Sequence, residues 1–104
     1  MFSLIRRLLK LDNLDIPRLL EEGAIVIDVR TPQEFNQGHA DNSVNIPLAQ
    51  LPNRLQDIKD LDKTVLLCCR SGMRARSALT MMKGVGIEAY NAGSWNAVQS
   101  RQTA

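Results

Sequence analysis

The 104-residue sequence has few of the residues from which many functional sites are built. It contains two cysteines, one histidine, one tryptophan and one tyrosine. Because Cys68 and Cys69 are adjacent, they cannot form the disulfide framework of a small secreted domain. Together with His39 they supply too few ligands for a structural zinc site unless carboxylates help, so we expect no metal and no other cofactor.

The sequence also lacks a strong net charge and long hydrophobic runs. A net charge of +2 is too close to neutral to indicate nucleic-acid binding. The N-terminal segment is too short, and too often interrupted by Arg6, Arg7 and Lys10, for a secretory signal or a membrane span. Its apolar residues have helical spacing, which predicts an N-terminal extension, residues 1–12, that is helical and packs on the domain. A weak membrane-surface helix is the alternative.

Length and composition favour one domain over residues 1–104, with no membrane partner, and we expect it to be a monomer. A chain that has 44% hydrophobic and 23% charged residues is ordinary for a globular protein. With no signal segment recognised, we expect the cytoplasm, whose reducing conditions suit a free reactive thiol.

Strand and helix patterns alternate along the chain, which predicts an α/β domain with a mostly parallel sheet. The predicted strands are residues 24–29, 44–46, 64–68 and 87–90. The predicted helices are 15–23, 31–37, 49–59 (with Pro52 near its start or at a break), 75–83 and a short one from Trp95. Residues 92–94 are expected to turn the chain.

A thiol, a glycine and two arginines lie within six residues, between a predicted strand and a predicted helix. The segment from Cys69 to Arg74 reads Cys-Arg-Ser-Gly-Met-Arg. A loop of this kind directs backbone N–H groups inward, and the helix N-terminus adds partial positive charge, so the segment predicts a site for a small anion. The first position is where a thiolate is best stabilised, and we expect Cys69 to be the nucleophile. A buried, inert thiol is the alternative.

The loop can ionise Cys69 without a general base. An ordinary cysteine has a pKa of about 8.5, so half-ionisation at neutral pH needs about 2 kcal/mol of stabilisation. A helix N-terminus supplies about 0.3–1 kcal/mol, and each charge-assisted hydrogen bond from a loop N–H group supplies about 1.5–3 kcal/mol. We therefore expect His39 to be a scaffold hydrogen-bonding residue rather than a catalytic acid.

Other residues are expected to support the loop. Asp28 ends the first buried strand, so a parallel sheet places it on the same rim as Cys69. It either pairs with a loop arginine or caps a nearby turn. Arg30 and Glu34 are expected to pair with each other across a capping box. Cys68 should point away from Cys69 and be buried, because strand side chains alternate; a resolving-thiol role is the alternative.

The sequence resembles the rhodanese domain, in its small single-domain form. The segment from Cys69 to Arg74 matches the active-site pattern Cys-Arg-x-Gly-x-Arg of that family. Further similarities, which together span about residues 14 to 100, are Ile27-Asp28-Val29-Arg30, Glu34-Phe35, Gly38-His39, Asn45-Ile46-Pro47 and Gly93-x-Trp95.

The resemblance implies a five-stranded, mostly parallel sheet with helices on both faces. It also implies that Cys69 carries a sulfane sulfur as a persulfide. A small sulfur oxyanion such as thiosulfate would be the donor, and cyanide or a thiol, including one on a partner protein, would be the acceptor. The residues expected to bind the substrate and the persulfide are Arg70, Ser71, Gly72, Met73, Arg74 and Ala75.

Two other functions stay open at this stage. Cys68, five intervening residues and Arg74 formally fit the phosphate loop of a cysteine phosphatase or arsenate reductase. The domain could also be a non-catalytic carrier that passes persulfide sulfur between proteins. The chemistry at Cys69 is the same for a carrier and an enzyme, so the sequence does not separate them.

Overall fold

The structure is a computed structural model that describes residues 14–103. Helices and strands alternate through this part of the chain. In chain order the elements are α1 (Ile16–Glu21), β1 (Ile25–Asp28), α2 (Pro32–Gln37), β2 (Val44–Asn45), a 3-10 helix (Leu48–Arg54), α3 (Leu55–Asp60), β3 (Val65–Cys69), α4 (Met73–Gly84), β4 (Ala89–Ser94) and α5 (Trp95–Thr103). The helix expected in residues 1–12 lies outside the described residues.

The strands form one parallel sheet in the order β2-β1-β3-β4. The expected α/β fold is therefore confirmed, although the sheet in residues 14–103 has four strands where the resemblance implies five. Since all strands run the same way, their carboxyl ends share one edge. Asp28 is the last residue of β1 and pairs in register with Cys68. Asp28 and the two cysteines therefore lie together at that edge of the sheet.

Helices cover both faces of the sheet, and the side chains of β3 alternate between two cores. Leu67 and Cys69 belong to the core beneath α3, α4 and the 3-10 helix. Leu66 and Cys68 belong to the core beneath α1 and α5. The two adjacent cysteines therefore face opposite sides of the sheet, as strand geometry predicts.

The largest differences from the predicted elements concern the last strand and the helix expected over residues 49–59. The last strand begins at Ala89, not at residue 87, and it contains residues 92–94, which were expected to turn the chain. A register shift in the β3–β4 pairing accommodates Gly93, whose φ is +86° and whose N–H donates to the side chain of Asn91. The helix expected over residues 49–59 is divided into a 3-10 helix and α3. Pro52, which has no N–H to donate, lies inside the 3-10 part.

The start of α2 is fixed by the predicted capping box. The Thr31 side chain accepts a hydrogen bond from the Glu34 N–H, and the Glu34 carboxylate accepts one from the Thr31 N–H. Pro32 occupies the first turn. This short helix has no buried residue, so its placement depends on polar contacts. Among the described residues, none of the helices has the length and apolar character needed to cross a membrane.

Candidate active site

The segment that follows β3 folds tightly around the sulfur of Cys69. Residues 70–72 connect β3 to α4, and the Gly72 N–H lies 2.9 Å from Cys69 Sγ. Gly72 has a φ of +96°, a conformation that favours glycine. Asn91, on β4, donates a hydrogen bond of 3.0 Å to the Gly72 carbonyl oxygen. Sequence reasoning missed Asn91, because only the pairing of β3 with β4 brings it to the loop.

The pKa of Cys69 is lowered below that of an ordinary thiol. Burial is the largest single influence and raises the pKa, but hydrogen bonds from backbone N–H groups outweigh it. These N–H groups belong, in decreasing order of effect, to Ala75, Ser71, Gly72 and Arg74. The expected cradle of amides is therefore present, and it favours the thiolate. Only 1% of the Cys69 surface is exposed, so a reagent reaches the sulfur through a single projecting atom.

Cys68 has the opposite electrostatic environment. It is fully buried, and burial, followed by the negative charge of Asp28, raises its pKa to about 12. Its thiol therefore stays protonated at neutral pH and faces the core away from the loop. Neither property suits a nucleophile.

Arg74 lies in the first turn of α4, and its guanidinium is paired with Glu34. The two nitrogens lie 2.7 and 3.0 Å from the two carboxylate oxygens, a two-pronged contact. This contact, then the hydrogen bond from the Thr31 N–H, lowers the pKa of Glu34 to about 2. The expected side-chain pair of Arg30 with Glu34 is wrong: Arg30 reaches only the Glu34 backbone carbonyl oxygen, at 3.3 Å.

Arg30 forms a buried ion pair with Asp28. Its guanidinium contacts both carboxylate oxygens at 2.8–3.0 Å, and Asp28 also accepts from the Arg30 N–H. The guanidinium also donates to the Gly38 carbonyl oxygen at 2.7 Å and lies 5.0 Å above the Trp95 ring. Of the two alternatives for Asp28, the structure therefore shows the local turn contact and no pair with a loop arginine.

The remaining predicted residues differ in exposure. Arg70 and Ser71 are exposed, Met73 is 68% exposed and Ala75 is buried. Within residues 14–103, the Arg70 side chain has no hydrogen bond or ion pair. His39 is exposed, stacks on Phe35 and forms a hydrogen bond from Nδ1 to the Phe35 carbonyl oxygen at 2.8 Å. The imidazole thus lies against α2. Residues 14–103 contain no group of three or more His, Cys, Asp or Glu side chains arranged to hold a metal ion.

A pH titration should separate the two thiols. As pH rises through the pKa of Cys69, its thiolate absorbance in the ultraviolet should appear with a midpoint below that of an ordinary cysteine. The Cys69→Ala variant should lose this transition and the Cys68→Ala variant should keep it. A midpoint at or above the ordinary value, or a transition that disappears with Cys68 instead, would contradict the assignment of the thiolate to Cys69.

Comparison with known proteins finds a matching family model and several relatives. A family model described as Rhodanese-like domain matches residues 13–101. An uncharacterized protein of Bacillus subtilis, YqhL, is 45% identical over 69 residues, which are 65% of this chain and 54% of that protein. The thiosulfate sulfurtransferase GlpE of Pseudomonas syringae is 34% identical over 68 residues, 65% of this chain and 63% of that protein. In both cases the matched part is less than two thirds of the relative's own length.

Solved structures show the same fold. Reduced Bacillus anthracis CoADR-RHD superposes with a TM-score of 0.72 at 33% identity, covering 88% of this chain and 17% of that one. A rhodanese with anions from Escherichia coli superposes with a TM-score of 0.65 at 28% identity, covering 72% of this chain and 91% of that one. With the family model matching most of its length and sulfurtransferases among its relatives, the chain belongs to the rhodanese-like domain family.

Proposed function

We propose that this protein is a sulfurtransferase that moves a sulfane sulfur, through a persulfide on Cys69, from thiosulfate or a persulfide donor to a thiophilic acceptor. The acceptor is cyanide or a thiol, either on a small molecule or on a partner protein. The observation that carries the proposal is the ring of backbone N–H groups directed at Cys69 Sγ, which lowers the pKa of the thiol despite its burial. Relatives named thiosulfate sulfurtransferases support it.

The reaction has two displacement steps. The Cys69 thiolate attacks the outer sulfur of thiosulfate, the sulfur–sulfur bond of the donor breaks, and its electron pair leaves with sulfite. The product is the persulfide anion Cys69–S–S⁻. An acceptor such as cyanide then attacks the terminal sulfur, so thiocyanate leaves and the Cys69 thiolate is restored. The two steps as written need no oxidant, proton donor or metal.

The loop residues have distinct proposed roles. Amides within residues 70–75 hold the negative charge of the persulfide, and the left-handed conformation of Gly72 directs its N–H at the sulfur. Arg70, which is exposed and unpaired within the described residues, attracts the anionic donor. The Ser71 hydroxyl adds a donor, and Met73 forms the apolar rim. Three further residues support the site without contacting the sulfur: Asp28 at the end of β1, Arg30 between β1 and α2, and His39 just after α2.

The phosphatase alternative is disfavoured by the position of Cys68. Its loop would begin at a buried thiol whose pKa is raised to about 12 and which faces the other core. The nearly complete burial of Cys69 also favours attack on a single projecting sulfur atom over attack on a bulky phosphate ester. A persulfide carrier remains compatible with the geometry, because it uses the same sulfur on Cys69.

Intact mass spectrometry tests the proposal. The protein is incubated with thiosulfate, desalted and weighed, and we expect a gain of one sulfur atom. Cyanide should remove the added mass, and Cys69→Ala should never acquire it. If neither thiosulfate nor an organic persulfide adds sulfur to the wild-type protein, the sulfurtransferase proposal is wrong.

Steady-state kinetics then separate an enzyme from a carrier. An enzyme should turn over thiosulfate with small acceptors, whereas a carrier should turn over every small donor poorly and exchange sulfur rapidly with a partner protein. The cytoplasm as the compartment and a monomer as the working form belong to the same proposal. Size-exclusion chromatography with light scattering checks the oligomeric state.

A further inference from the structure

One of the two loop arginines has its charge cancelled within the structure. Arg74 directs both guanidinium nitrogens to the Glu34 carboxylate, whereas Arg70 has no partner within residues 14–103. The side chains of Arg74 and Glu34 are 35% and 31% exposed, so each is largely covered. The loop therefore presents two arginines in its sequence but only one uncompensated positive charge to a donor.

Hydrogen bonds within the fold hold Glu34 in position to neutralise Arg74. Glu34 is already held by the capping box, since its carboxylate accepts hydrogen bonds from both the N–H and the hydroxyl group of Thr31 at 3.1 Å. The helix that carries it is in turn anchored by Arg30, through the carbonyl oxygens of Glu34 and Gly38. A carboxylate fixed in advance loses little rotamer entropy when it binds a guanidinium, which makes this pair more persistent than an ordinary surface pair.

The formal charges around Cys69 affect how much negative charge a sulfur donor can bring to the site. Within the segment from Cys69 to Arg74, the formal charges of the Cys69 thiolate and the exposed Arg70 sum to zero, and the pair of Glu34 with Arg74 adds none. Thiosulfate would bring two negative charges into this environment, whereas an organic persulfide brings at most one. Met73, on the rim of the loop and 68% exposed, offers an apolar surface to the organic part of such a donor.

We propose that Glu34 is a specificity-determining residue: by neutralising Arg74 it makes the site favour organic persulfides over dianionic sulfur oxyanions as sulfur donors. The inference rests on the proposed sulfur transfer at Cys69. In the loading step the Cys69 thiolate attacks the outer sulfur of R–S–SH and the donor's sulfur–sulfur bond breaks. The electron pair leaves with the R–S group, which takes up the donor's proton, giving R–SH and Cys69–S–S⁻.

The Glu34→Gln variant tests this role with little disturbance of the helix, because glutamine also completes a capping box. The matched control is Glu22→Gln, which removes the same charge from an exposed pair with Arg18 on α1. The rate at which Cys69 gains sulfur is measured by intact mass, with thiosulfate and with the persulfide of 2-mercaptoethanol as donors. Melting temperatures establish that each variant is folded.

In the wild-type protein we expect faster loading from the persulfide than from thiosulfate. Glu34→Gln should raise the rate with thiosulfate by about three- to tenfold and leave the rate with the persulfide within about twofold, since one uncovered charge acts more strongly on a dianion. Adding Arg74→Gln to Glu34→Gln should remove the gain, and Glu22→Gln should not produce it.

Two results distinguish this inference from the proposed function. If the wild-type protein gains sulfur but Glu34→Gln leaves the ratio of the two loading rates unchanged, or lowers the rate with thiosulfate, Glu34 does not set donor specificity, although sulfur transfer stands. If the wild-type protein gains sulfur from neither donor, the proposed function fails and this inference fails with it. If Glu34→Gln does not fold, Arg74→Gln is compared with the wild-type protein: uncovering the Glu34 charge should lower the rate with thiosulfate more than the rate with the persulfide, and an unchanged ratio of the two rates would overturn the inference.

Discussion

Replacing Cys69 by alanine is expected to lower sulfur transfer by on the order of a thousandfold or more, because removal of a covalent nucleophile removes the intermediate itself. Of the two cysteines, only Cys69 has a pKa that is lowered, because the loop amides stabilise its thiolate. Burial raises the pKa of Cys68 and keeps its thiol protonated. The measurement is thiocyanate formation from thiosulfate and cyanide, compared at equal concentrations of folded protein.

Cys68→Ala is the matched control, since it changes the neighbouring residue in the same way. Its side chain lies in the core beneath α1 and α5, so the change leaves a small cavity and should lower the free energy of unfolding by about 1 kcal/mol. Turnover should stay within a few-fold of the wild-type rate. If Cys68→Ala abolishes turnover and Cys69→Ala does not, the assignment of Cys69 as the nucleophile is wrong. That result would favour the phosphatase alternative, in which the loop begins at Cys68.

The position of the cysteine loop could be predicted because it depends on local sequence. An apolar run, a glycine and a helical pattern in succession define a strand, a tight loop and a helix N-terminus, and the structure has each in that order. The opposite orientation of the cysteines follows from strand alternation alone. The lowered pKa of Cys69 follows from the amide donors that such a loop must contain, and the structure shows them.

The ion pairs could not be predicted, because they depend on distant contacts. Glu34 has Arg30 four residues before it and Arg74 forty residues after it, and proximity in the sequence favoured Arg30. In the structure Arg30 pairs with Asp28, at the end of β1, and Glu34 pairs with Arg74 of α4. The same limitation hid Asn91, since its contact with Gly72 exists only once β3 and β4 are paired.

The extension of β4 through residues 92–94 has a related cause. Residues 92–94 contain a glycine and a serine, which are typical of turns. The sheet accepts them through a shift in register opposite Leu67 and Cys68, where Gly93 adopts a positive φ. Propensity alone does not reveal a shift of this kind, because the partner strand determines where it is tolerated.

The Arg30→Met variant is expected to be the most destabilising substitution near the site. It would leave the fully buried Asp28 carboxylate without its ion-pair partner and remove the donor to the Gly38 carbonyl oxygen and the contact with Trp95. Removing one partner of a buried pair lowers the free energy of unfolding by about 3–5 kcal/mol. For a domain of this size such a loss corresponds to a decrease in melting temperature of about 15 °C or more, measurable by circular dichroism.

Arg18→Met is the matched control, because it removes the same side chain from an ion pair that is 71% and 57% exposed. Its effect should be within about 0.5 kcal/mol, since solvent screens such a pair. If Arg30→Lys lowers the melting temperature less than Arg30→Met does, the positive charge contributes to stability. The remaining difference between Arg30→Lys and the wild-type protein would then measure the contribution of the forked guanidinium geometry, which lysine lacks. Equal melting temperatures for Arg30→Met and Arg18→Met would mean that the buried pair of Arg30 with Asp28 does not stabilise the fold. The pair would then not be what holds α2 and Glu34 beside the cysteine loop.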